Sequence, residues 1–432
     1  MSAARRNPIL GVVLGAAGVA AGVAAGVAAD RAGRHRAALD ALETTEQLEI
    51  TPDEERVVIT EDGVALHVEI DVPRPEAAAA AAQGLTSRDD PDRLPTVVFT
   101  HGYCLSLRSW VYQRRALKAA GYRVVSWDHR GHGQSGRGEP DSYVIDQLGQ
   151  DLRAVIDDVA PEGHLVLAGH SMGGMTMLAL GERYPNLIRE RVSGAAFVST
   201  SAGGLTLANG GRSATFGRLL LERVGPSVLG PLSDRPELVG RLRRIGRDVE
   251  EFLVEQNSFA SPVPRKVVRH TADMLLSTPL DVINDYLVTF DGFDKRPALA
   301  EFQDTVTLVF NGREDVLTPP AHSELIVEGI PGAEHIVVND AGHIIMLEHA
   351  DLLSAHLLEL IERGTRAREE HIPVSRGPRV RRIVTDVAKN RRQARMEREA
   401  DEIVRAERVR ALARLSRAKD AALAREQARR GS

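Results

Sequence analysis

The segment Gly169-His170-Ser171-Met172-Gly173-Gly174 lies where one kind of sequence pattern gives way to another. The apolar run at residues 164–168 predicts a buried strand before it, and the periodicity of residues 172–184 predicts a helix after it. A serine in Gly-x-Ser-x-Gly between a strand and a helix is typical of a catalytic nucleophile on a sharp turn. We therefore predict that Ser171 is the nucleophile and that Gly169 and Gly173 leave room for the turn.

Strands and helices alternate on both sides of this segment. Apolar runs predict further strands at residues 96–100, 122–127, 192–199, 305–310 and 335–338. Helical patterns lie between these runs, but residues 201–302 contain helical stretches and no convincing strand. Buried strands that alternate with helices predict a parallel sheet covered on both faces.

A serine hydroxyl needs a base to take its proton, and the base needs an acid to orient it. His343 is the best candidate for the base, because it follows a late predicted strand in a loop at the sheet edge. His335 and His349 are rivals, but they lie in a predicted strand and a predicted helix, where structural roles are expected. Asp315 follows another late strand and is the best candidate for the acid, with adjacent Glu314 as its rival.

Acyl transfer also needs N–H donors for the negative charge that develops on the carbonyl oxygen. The main-chain N–H of Met172, at the start of the predicted helix, is one candidate. The second is the N–H of Tyr103, in the loop His101-Gly102-Tyr103, where glycine permits a tight turn. For the His101 side chain we expect a structural hydrogen bond rather than a catalytic role.

Taken together, these features resemble the α/β-hydrolase superfamily. The motifs that match are His101-Gly102, the D-x-R-G-x-G-x-S stretch from Asp128 to Ser135, the GHSMGG segment, the G-x-x-D from Gly312 to Asp315, and Gly342-His343. The resemblance covers about residues 55–363. It implies a mostly parallel eight-stranded sheet flanked by helices, with a helical cap inserted after the sixth strand.

The domain prediction that follows has six parts. They are an N-terminal hydrophobic anchor or signal segment (1–36), a linker (37–54), the first part of the hydrolase core (55–200), the helical cap (201–302), the second part of the core (303–363) and a basic, helical or disordered tail (364–432).

The predicted function is a serine hydrolase that cleaves carboxylic esters of apolar acyl substrates through an acyl-enzyme. Members of the family with an aspartate nucleophile are epoxide hydrolases or dehalogenases, and Ser171 argues against both. The family's GHSMGG members also include C–C bond hydrolases and peptidases, so C–C bond or amide hydrolysis by the same triad remains an alternative. A third hypothesis is a membrane-associated interaction protein on a hydrolase scaffold.

The N-terminal run from Asn7 to Ala29 contains no charged residue and is long enough to span a bilayer as a helix. Basic residues flank it on both sides, which favours a retained single anchor and a membrane-associated protein. The alternative is export after signal cleavage behind Val27-Ala28-Ala29, whose residues are small enough for a signal peptidase.

The charge of the chain is unevenly distributed. Its net charge is −5, yet residues 363–432 contain 21 Lys or Arg against 10 Asp or Glu. This basic tail could lie on an anionic membrane surface, or it could be a solvated charged helix. We do not expect nucleic acid as a partner, because the tail has no reading motif and no interleaved aromatic residues. A small-molecule or lipid ester is the expected substrate.

Cysteine usage excludes two further kinds of stabilisation. Cys104 is the only cysteine, so no internal disulfide can form. No spacing of cysteine and histidine suggests a zinc site. We therefore expect neither a metal nor a cofactor.

Overall fold

The computed structural model describes residues 48–204, 254–255, 257–374 and 380–430. Two compact units divide the chain. The first, which ends at Asp386, holds the sheet and its helices. The second contains the long helix Val387–Arg430. The predicted N-terminal anchor or signal segment lies outside the described residues, and so does most of the linker. Among the helices that the structure describes, none is long and apolar enough to cross a membrane.

One sheet of nine strands forms the centre of the first unit. The strands are β1 (Glu54–Ile59), β2 (Ala65–Asp71), β3 (Thr96–Thr100), β4 (Val124–Trp127), β5 (Leu165–His170), β6 (Val192–Val198), β7 (Val306–Gly312), β8 (Glu334–Val338) and β9 (Val380–Val384). Their order is β1-β2-β4-β3-β5-β6-β7-β8-β9. Strand β2 pairs antiparallel with β1 and β4, and every other pairing is parallel.

Helices of the first unit cover the sheet and connect its parallel strands, and the long helix Val387–Arg430 belongs to the second unit. The described α-helices are α1 (Pro75–Ala82), α2 (Val111–Ala119), α3 (Ile145–Val159), α4 (Met172–Arg183), α5 (Pro185–Arg191), α6 (Arg265–Ser277), α7 (Leu280–Phe290), α8 (Pro320–Gly329), α9 (Ile345–Glu348), α10 (Ala350–Glu369) and α11 (Val387–Arg430).

The central strands, such as β3, are apolar on both faces, as expected for a parallel sheet between two helical layers. In β3, the side chains of Val97 and Phe99 enter one core, and that of Val98 enters the other. The first core also contains Leu353 of α10, and the second contains Leu152 of α3. The sequence prediction of an α/β-hydrolase fold with a mostly parallel, helix-covered sheet is confirmed.

The sheet has nine strands rather than the predicted eight. The additional strand, β9, lies in the region that we predicted to be helical or disordered. Its sequence Val-Arg-Arg-Ile-Val is short and contains two arginines, so it lacks the apolar pattern that predicts a buried strand. Two ion pairs join β9 to the rest of the first unit. Arg381 contacts Glu324 at 3.0 Å, and Arg382 contacts Glu334.

Two α-helices, α6 and α7, and a 3₁₀ helix at Arg296–Phe302 occupy the described part of the predicted cap, which follows the sixth strand. Of residues 205–256, only Val254 and Glu255 belong to the described residues. The cap therefore stays a prediction. The segment between β2 and β3 contains helix α1.

Candidate active site

The loops that carry the predicted site residues meet at one edge of the sheet. Strands β3, β5, β6, β7 and β8 are parallel, so their carboxyl ends lie side by side. Tyr103, Ser171, Asp315 and His343 follow β3, β5, β7 and β8 respectively. In an open α/β sheet this edge is where ligands bind.

Ser171 occupies a sharp turn between β5 and α4. Its φ angle of 52° lies in the left-handed region, where a residue other than glycine is strained. A methyl group on Gly169 would lie 2.5 Å from the main-chain carbon of Gly173, and one on Gly173 would lie 2.2 Å from the carbonyl oxygen of Thr100. Both positions therefore require glycine, as the sequence pattern indicates.

The turn is fixed by hydrogen bonds at both ends of Ser171. Its N–H donates to the carbonyl of Val198 at 3.0 Å, and its carbonyl accepts from the hydroxyl of Thr200 at 2.6 Å. Thr200 follows β6 and was not singled out in the sequence. Its role depends on a contact across 29 positions, which no local pattern announces.

His343 and Asp315 form a buried pair. The Nδ1–H of His343 donates to the Asp315 carboxylate, at 2.9 Å from Oδ2 and 3.1 Å from Oδ1. The main-chain N–H groups of Leu317 and Thr318 donate to Oδ1, each at 2.9 Å, and the Thr318 hydroxyl donates to Oδ2 at 2.9 Å. The structure thus brings together the predicted base and the predicted acid.

The charge of Asp315 is stabilised although its side chain is buried. Burial raises the pKa of a carboxyl group, but the neighbouring His343 ring and the hydrogen bonds from His343 and Thr318 outweigh it. The pKa of Asp315 therefore lies below its ordinary value. An ionised Asp315 keeps the His343 proton on Nδ1 and leaves Nε2 as the basic nitrogen.

His170 connects the Ser171 turn to the His343 loop. The rings of His170 and His343 lie 4.8 Å apart, and Nε2–H of His170 donates to the carbonyl oxygen of His343 at 2.9 Å. Burial lowers the pKa of His170 to about 3, so this ring is neutral. In the sequence, His170 stands out only as a member of the serine motif.

The rivals of these residues have other partners. Glu314 accepts a hydrogen bond from the N–H of Ala341 at 3.1 Å through its Oε2 atom. The Nε2–H of His335 donates to the Asn311 side chain at 2.8 Å. His349 donates from Nε2 to the carbonyl of Asp340 at 3.0 Å. Each of these contacts supports the architecture of the sheet edge.

The loop after β3 lies directly against the Ser171 turn. A methyl group on Gly102 would lie 3.2 Å from Cβ of Ser171 and 2.6 Å from Nδ1 of His170. This packing places the following residue, Tyr103, beside the turn. Met172 is the first residue of α4, where main-chain N–H groups lack partners within the helix.

Both ring nitrogens of His101 are engaged in holding this loop. Nδ1 lies 2.7 Å from the Gly102 carbonyl oxygen, to which it donates. Nε2 accepts from the N–H of His129 at 3.0 Å. The ring is fully buried, and burial lowers the pKa of His101 well below its ordinary value. This arrangement is that of a structural, neutral histidine.

Apolar side chains of α4 and α7 pack together beside the Ser171 turn. Met172 and Met175 of α4 pack with Tyr286 and Phe290 of α7, and Tyr103 packs against the same cluster. The Tyr103 ring lies 5.2 Å from that of Phe290, and its hydroxyl donates to the carbonyl of Ile283.

The site contains ionisable groups, but the described residues show no arrangement of three or more His, Cys, Asp or Glu side chains that could hold a metal ion.

A sequence model of the alpha/beta hydrolase fold family matches residues 95–350. The match covers more than half of the chain and includes the loops described above. The chain belongs to the α/β-hydrolase family, and its fold is that of a hydrolase.

Two curated proteins illustrate the range of activities among its relatives. A protein of Azorhizobium caulinodans named as a carbamate hydrolase, RutD, is 29% identical over 58% of this chain and 84% of its own length. The monoacylglycerol lipase of Mycolicibacterium smegmatis is 25% identical over 60% of this chain and 87% of its own length.

Solved structures agree with the fold. A thermophilic esterase from Thermogutta terrifontis superposes with a TM-score of 0.54 over 72% of this chain and 99% of its own, at 21% sequence identity. A membrane phospholipase A superposes with a TM-score of 0.52 over 83% of this chain, at 20% identity. At these identities the likeness concerns the architecture alone.

Proposed function

We propose that this α/β hydrolase is a serine esterase that cleaves carboxylic esters of apolar acyl substrates. Ser171 is the nucleophile, His343 the general base and Asp315 the acid that orients it. The observation that carries the proposal is the pairing of His343 Nδ1–H with the buried Asp315 carboxylate. It leaves Nε2 available to a substrate-facing serine.

The reaction follows from these positions. Nε2 of His343 takes the Ser171 proton while the serine oxygen attacks the acyl carbon, and the resulting imidazolium is stabilised by Asp315. The imidazolium then gives that proton to the departing alcohol as the C–O bond breaks and the acyl-enzyme forms. Water attacks the acyl-enzyme by the same route, which releases the carboxylic acid and restores Ser171.

The main-chain N–H groups of Met172 and Tyr103 serve in this proposal as the oxyanion hole. Met172 opens α4, whose amino-terminal end carries a partial positive charge. The packing of Gly102 against Ser171 supports the position of Tyr103. Each such donor contributes about 3 kcal/mol to the stability of the transition state.

An apolar acyl group is supported by the surroundings of the turn. Tyr103, Met172, Met175, Tyr286 and Phe290 form one apolar cluster where helix α7, in the predicted cap, meets the first turn of α4. Of these side chains Tyr103 is only partly buried, so an acyl chain that covers it gains roughly 25 cal/mol for each Å² removed from water.

Substitution of the nucleophile tests the proposal. We expect Ser171→Ala to lower kcat on short and medium p-nitrophenyl esters by on the order of 10⁴ or more, because no other group supplies the attacking oxygen. A fluorophosphonate probe should label the wild type at Ser171 and leave the variant unlabelled. Hydrolysis at the wild-type rate by Ser171→Ala would remove Ser171 from this role.

Ser199 provides a matched control. It follows β6 at the same sheet edge, and like Ser171 it has a positive φ angle, 44°. Its hydroxyl is buried and is not assigned any step of the reaction. Ser199→Ala should retain both labelling and turnover within a few-fold of the wild type.

Carbamate, amide and C–C bond hydrolysis by the same residues form the alternative. The relative named as a carbamate hydrolase supports testing it. A panel that presents the same apolar group next to the carbonyl function of an ester, a carbamate, an anilide and a ketone decides the class. The highest kcat/KM for any member other than the ester would replace the proposed substrate class.

A membrane association of the N-terminal run and the basic tail is proposed from the sequence alone. The compact unit with the sheet ends at Asp386, so removal of the residues after it leaves β9 in place. If the tail binds anionic lipid, a smaller fraction of the truncated chain than of the full chain should co-sediment with anionic liposomes. Equal binding by both chains would exclude the tail as a membrane contact.

A further inference from the structure

Glu348 is a buried carboxylate that lies outside the proposed triad and is surrounded by hydrogen-bond donors. It ends helix α9, five residues after His343, and its side chain is 3% exposed. Its Oε2 atom accepts from the N–H of Gly342 at 2.6 Å. Its Oε1 atom accepts from the N–H groups of Ala260, at 2.9 Å, and Ser261, at 2.5 Å, and from the Ser261 hydroxyl at 2.7 Å.

These bonds join two parts of the chain that are about ninety positions apart in sequence. One is the loop that carries His343. The other is residues 258–261, which we call the brace. The brace also contacts the loop directly, because its Ser258 carbonyl accepts from the N–H of Ile344 at 3.1 Å. A methyl group on Gly342 would lie 2.6 Å from the same carbonyl oxygen.

The main chain of His343 is therefore held from several sides. The N–H before it, on Gly342, donates to Glu348, and the N–H after it, on Ile344, donates to the brace. Its own carbonyl accepts from His170, the neighbour of Ser171 in sequence. With these contacts in place, the imidazole has little freedom to move relative to the Ser171 turn.

We propose that Glu348 is a positioning residue for the hydrolytic reaction. By clamping the brace onto the His343 loop, it sets the distance between the His343 ring and the Ser171 oxygen. This inference rests on the proposed esterase function. A displacement of about 1 Å between reacting groups can lower a rate by about 100-fold, so a main-chain clamp next to the base matters for turnover.

The variant Glu348→Gln tests the clamp with almost no change of volume. All four neighbouring groups are donors, and a glutamine amide replaces one accepting oxygen by an NH₂ group that faces them. We expect a 10- to 100-fold lower kcat on p-nitrophenyl esters, from the magnitude above, with KM within about two-fold of the wild type. The rate of fluorophosphonate labelling at Ser171 should fall in parallel.

Two further variants grade the effect. Ser261→Ala removes one of the four bonds and should lower kcat by only a few-fold. Glu348→Asp keeps the charge but is one methylene shorter, so it cannot contact both the brace and Gly342. A deficit in kcat with Glu348→Asp, despite its carboxylate, would show that reach matters and not charge alone.

The matched control is Glu69→Gln on β2. Glu69 is also a buried glutamate, and it accepts from Arg114 at 2.6 Å, but within the described residues no hydrogen bond joins it to the His343 loop. This variant should lose stability while kcat per titrated active site stays within about two-fold of the wild type. Active sites are counted by the end point of fluorophosphonate labelling, so partial unfolding does not imitate a loss of kcat.

The outcomes separate this inference from the proposed function. If the wild type labels at Ser171 and Glu348→Gln keeps its kcat and labelling rate unchanged, the positioning role is overturned. The proposed esterase function is not affected by that result. Wild type that neither labels nor hydrolyses any ester overturns both. Should Glu348→Gln fail to fold, wild-type rates in Ser261→Ala and Glu348→Asp overturn the positioning role.

Discussion

At the scale of single residues, Asp315 shows how a buried carboxylate can stay charged. Four donors converge on its two oxygens: the main-chain N–H groups of Leu317 and Thr318, the Thr318 hydroxyl and Nδ1–H of His343. Burial works against the charge, but these partners keep the pKa of Asp315 below its ordinary value. The charged carboxylate can therefore stabilise the imidazolium that forms when His343 takes a proton in the proposed reaction.

Asp315→Asn should therefore reduce activity far more than its small change of shape suggests. The main-chain donors hold the accepting oxygen of the asparagine at the Oδ1 position, so its NH₂ group faces Nδ1 of His343. The ring then carries its proton on Nε2 and cannot accept one from Ser171. We expect kcat on a p-nitrophenyl ester to fall by on the order of 10³- to 10⁴-fold.

Glu314→Gln is the natural control for this variant. The residue is adjacent in sequence, but its Oε2 atom accepts only from the Ala341 N–H in the contacts around the loop, and a glutamine oxygen can do the same. Its kcat should stay within about three-fold of the wild type. If Glu314→Gln were the more damaging of the two, the assignment of the acid would move to Glu314.

The sequence predicts residues that act through a motif and misses those that act through a contact. Ser171, Asp315 and His343 each follow a strand in a recognisable pattern, so their loops could be placed at one sheet edge. Glu348 and Thr200 are joined to the site by hydrogen bonds between distant segments, which no spacing encodes. The sequence shows only that Glu348 is a single acid directly after the apolar run 344–347.

At the scale of elements, the site depends on how closely α3 and α4 pack. A methyl group on Gly149 of α3 would lie 2.9 Å from the main-chain carbon of Ala179 and from the N of Leu180, both in α4. Main-chain atoms cannot move aside without shifting the helix. Because Ser171 precedes α4, the position of the turn is tied to this helix contact.

Gly149→Val should consequently destabilise the protein by about 1–3 kcal/mol, the usual cost of overpacking. Urea denaturation at neutral pH measures the change in the free energy of unfolding. Asp158→Val places the same side chain on an exposed position of the same helix and should change stability by about 0.5 kcal/mol or less. Equal effects of the two variants would refute a tight contact between α3 and α4.

Elements with strong periodicity were predictable, and β9 was not. Strands β5 to β8 are apolar on both faces, and their sequences show it. Strand β9 has exposed Ile383 and two arginines, and it is held by main-chain pairing with β8 and by ion pairs. Those interactions depend on the acidic partners Glu324 and Glu334, which lie far away in the sequence.

At the scale of the whole molecule, a group of buried neutral histidines surrounds the loops of the site. His101, His129 and His132 lie with ring centroids 4.4–6.1 Å apart. Burial lowers the pKa of His129 and His170 to about 3 and that of His132 to about 4, and it lowers that of His101 well below its ordinary value. The folded protein therefore keeps all four rings neutral in mildly acidic solution.

The same rings make the stability of the fold dependent on pH. In the unfolded chain a histidine takes up its proton near pH 6.5. In the folded state His129, His132 and His170 take up theirs only at about pH 4 or below, and the pKa of His101 is also well below its ordinary value. Stability is thus fully present above pH 6.5 and is lost as the pH falls. Asp128 offsets part of this loss, because burial raises its pKa to about 6 and the folded state therefore takes up one proton at a higher pH than the unfolded chain does.

We expect the free energy of unfolding to fall by up to about 4 kcal/mol per pH unit between pH 6 and pH 4, since each proton of imbalance contributes about 1.4 kcal/mol per unit. His129→Gln isolates one ring. Its amide can still donate to the His101 carbonyl, the acceptor of Nε2–H of His129, but it cannot titrate. Urea denaturation across this range should give a slope smaller by about 1.4 kcal/mol per pH unit than that of the wild type. Parallel slopes would mean that His129 takes up its proton equally in both states, and neutral burial of the histidines would then not account for the acid sensitivity of the fold.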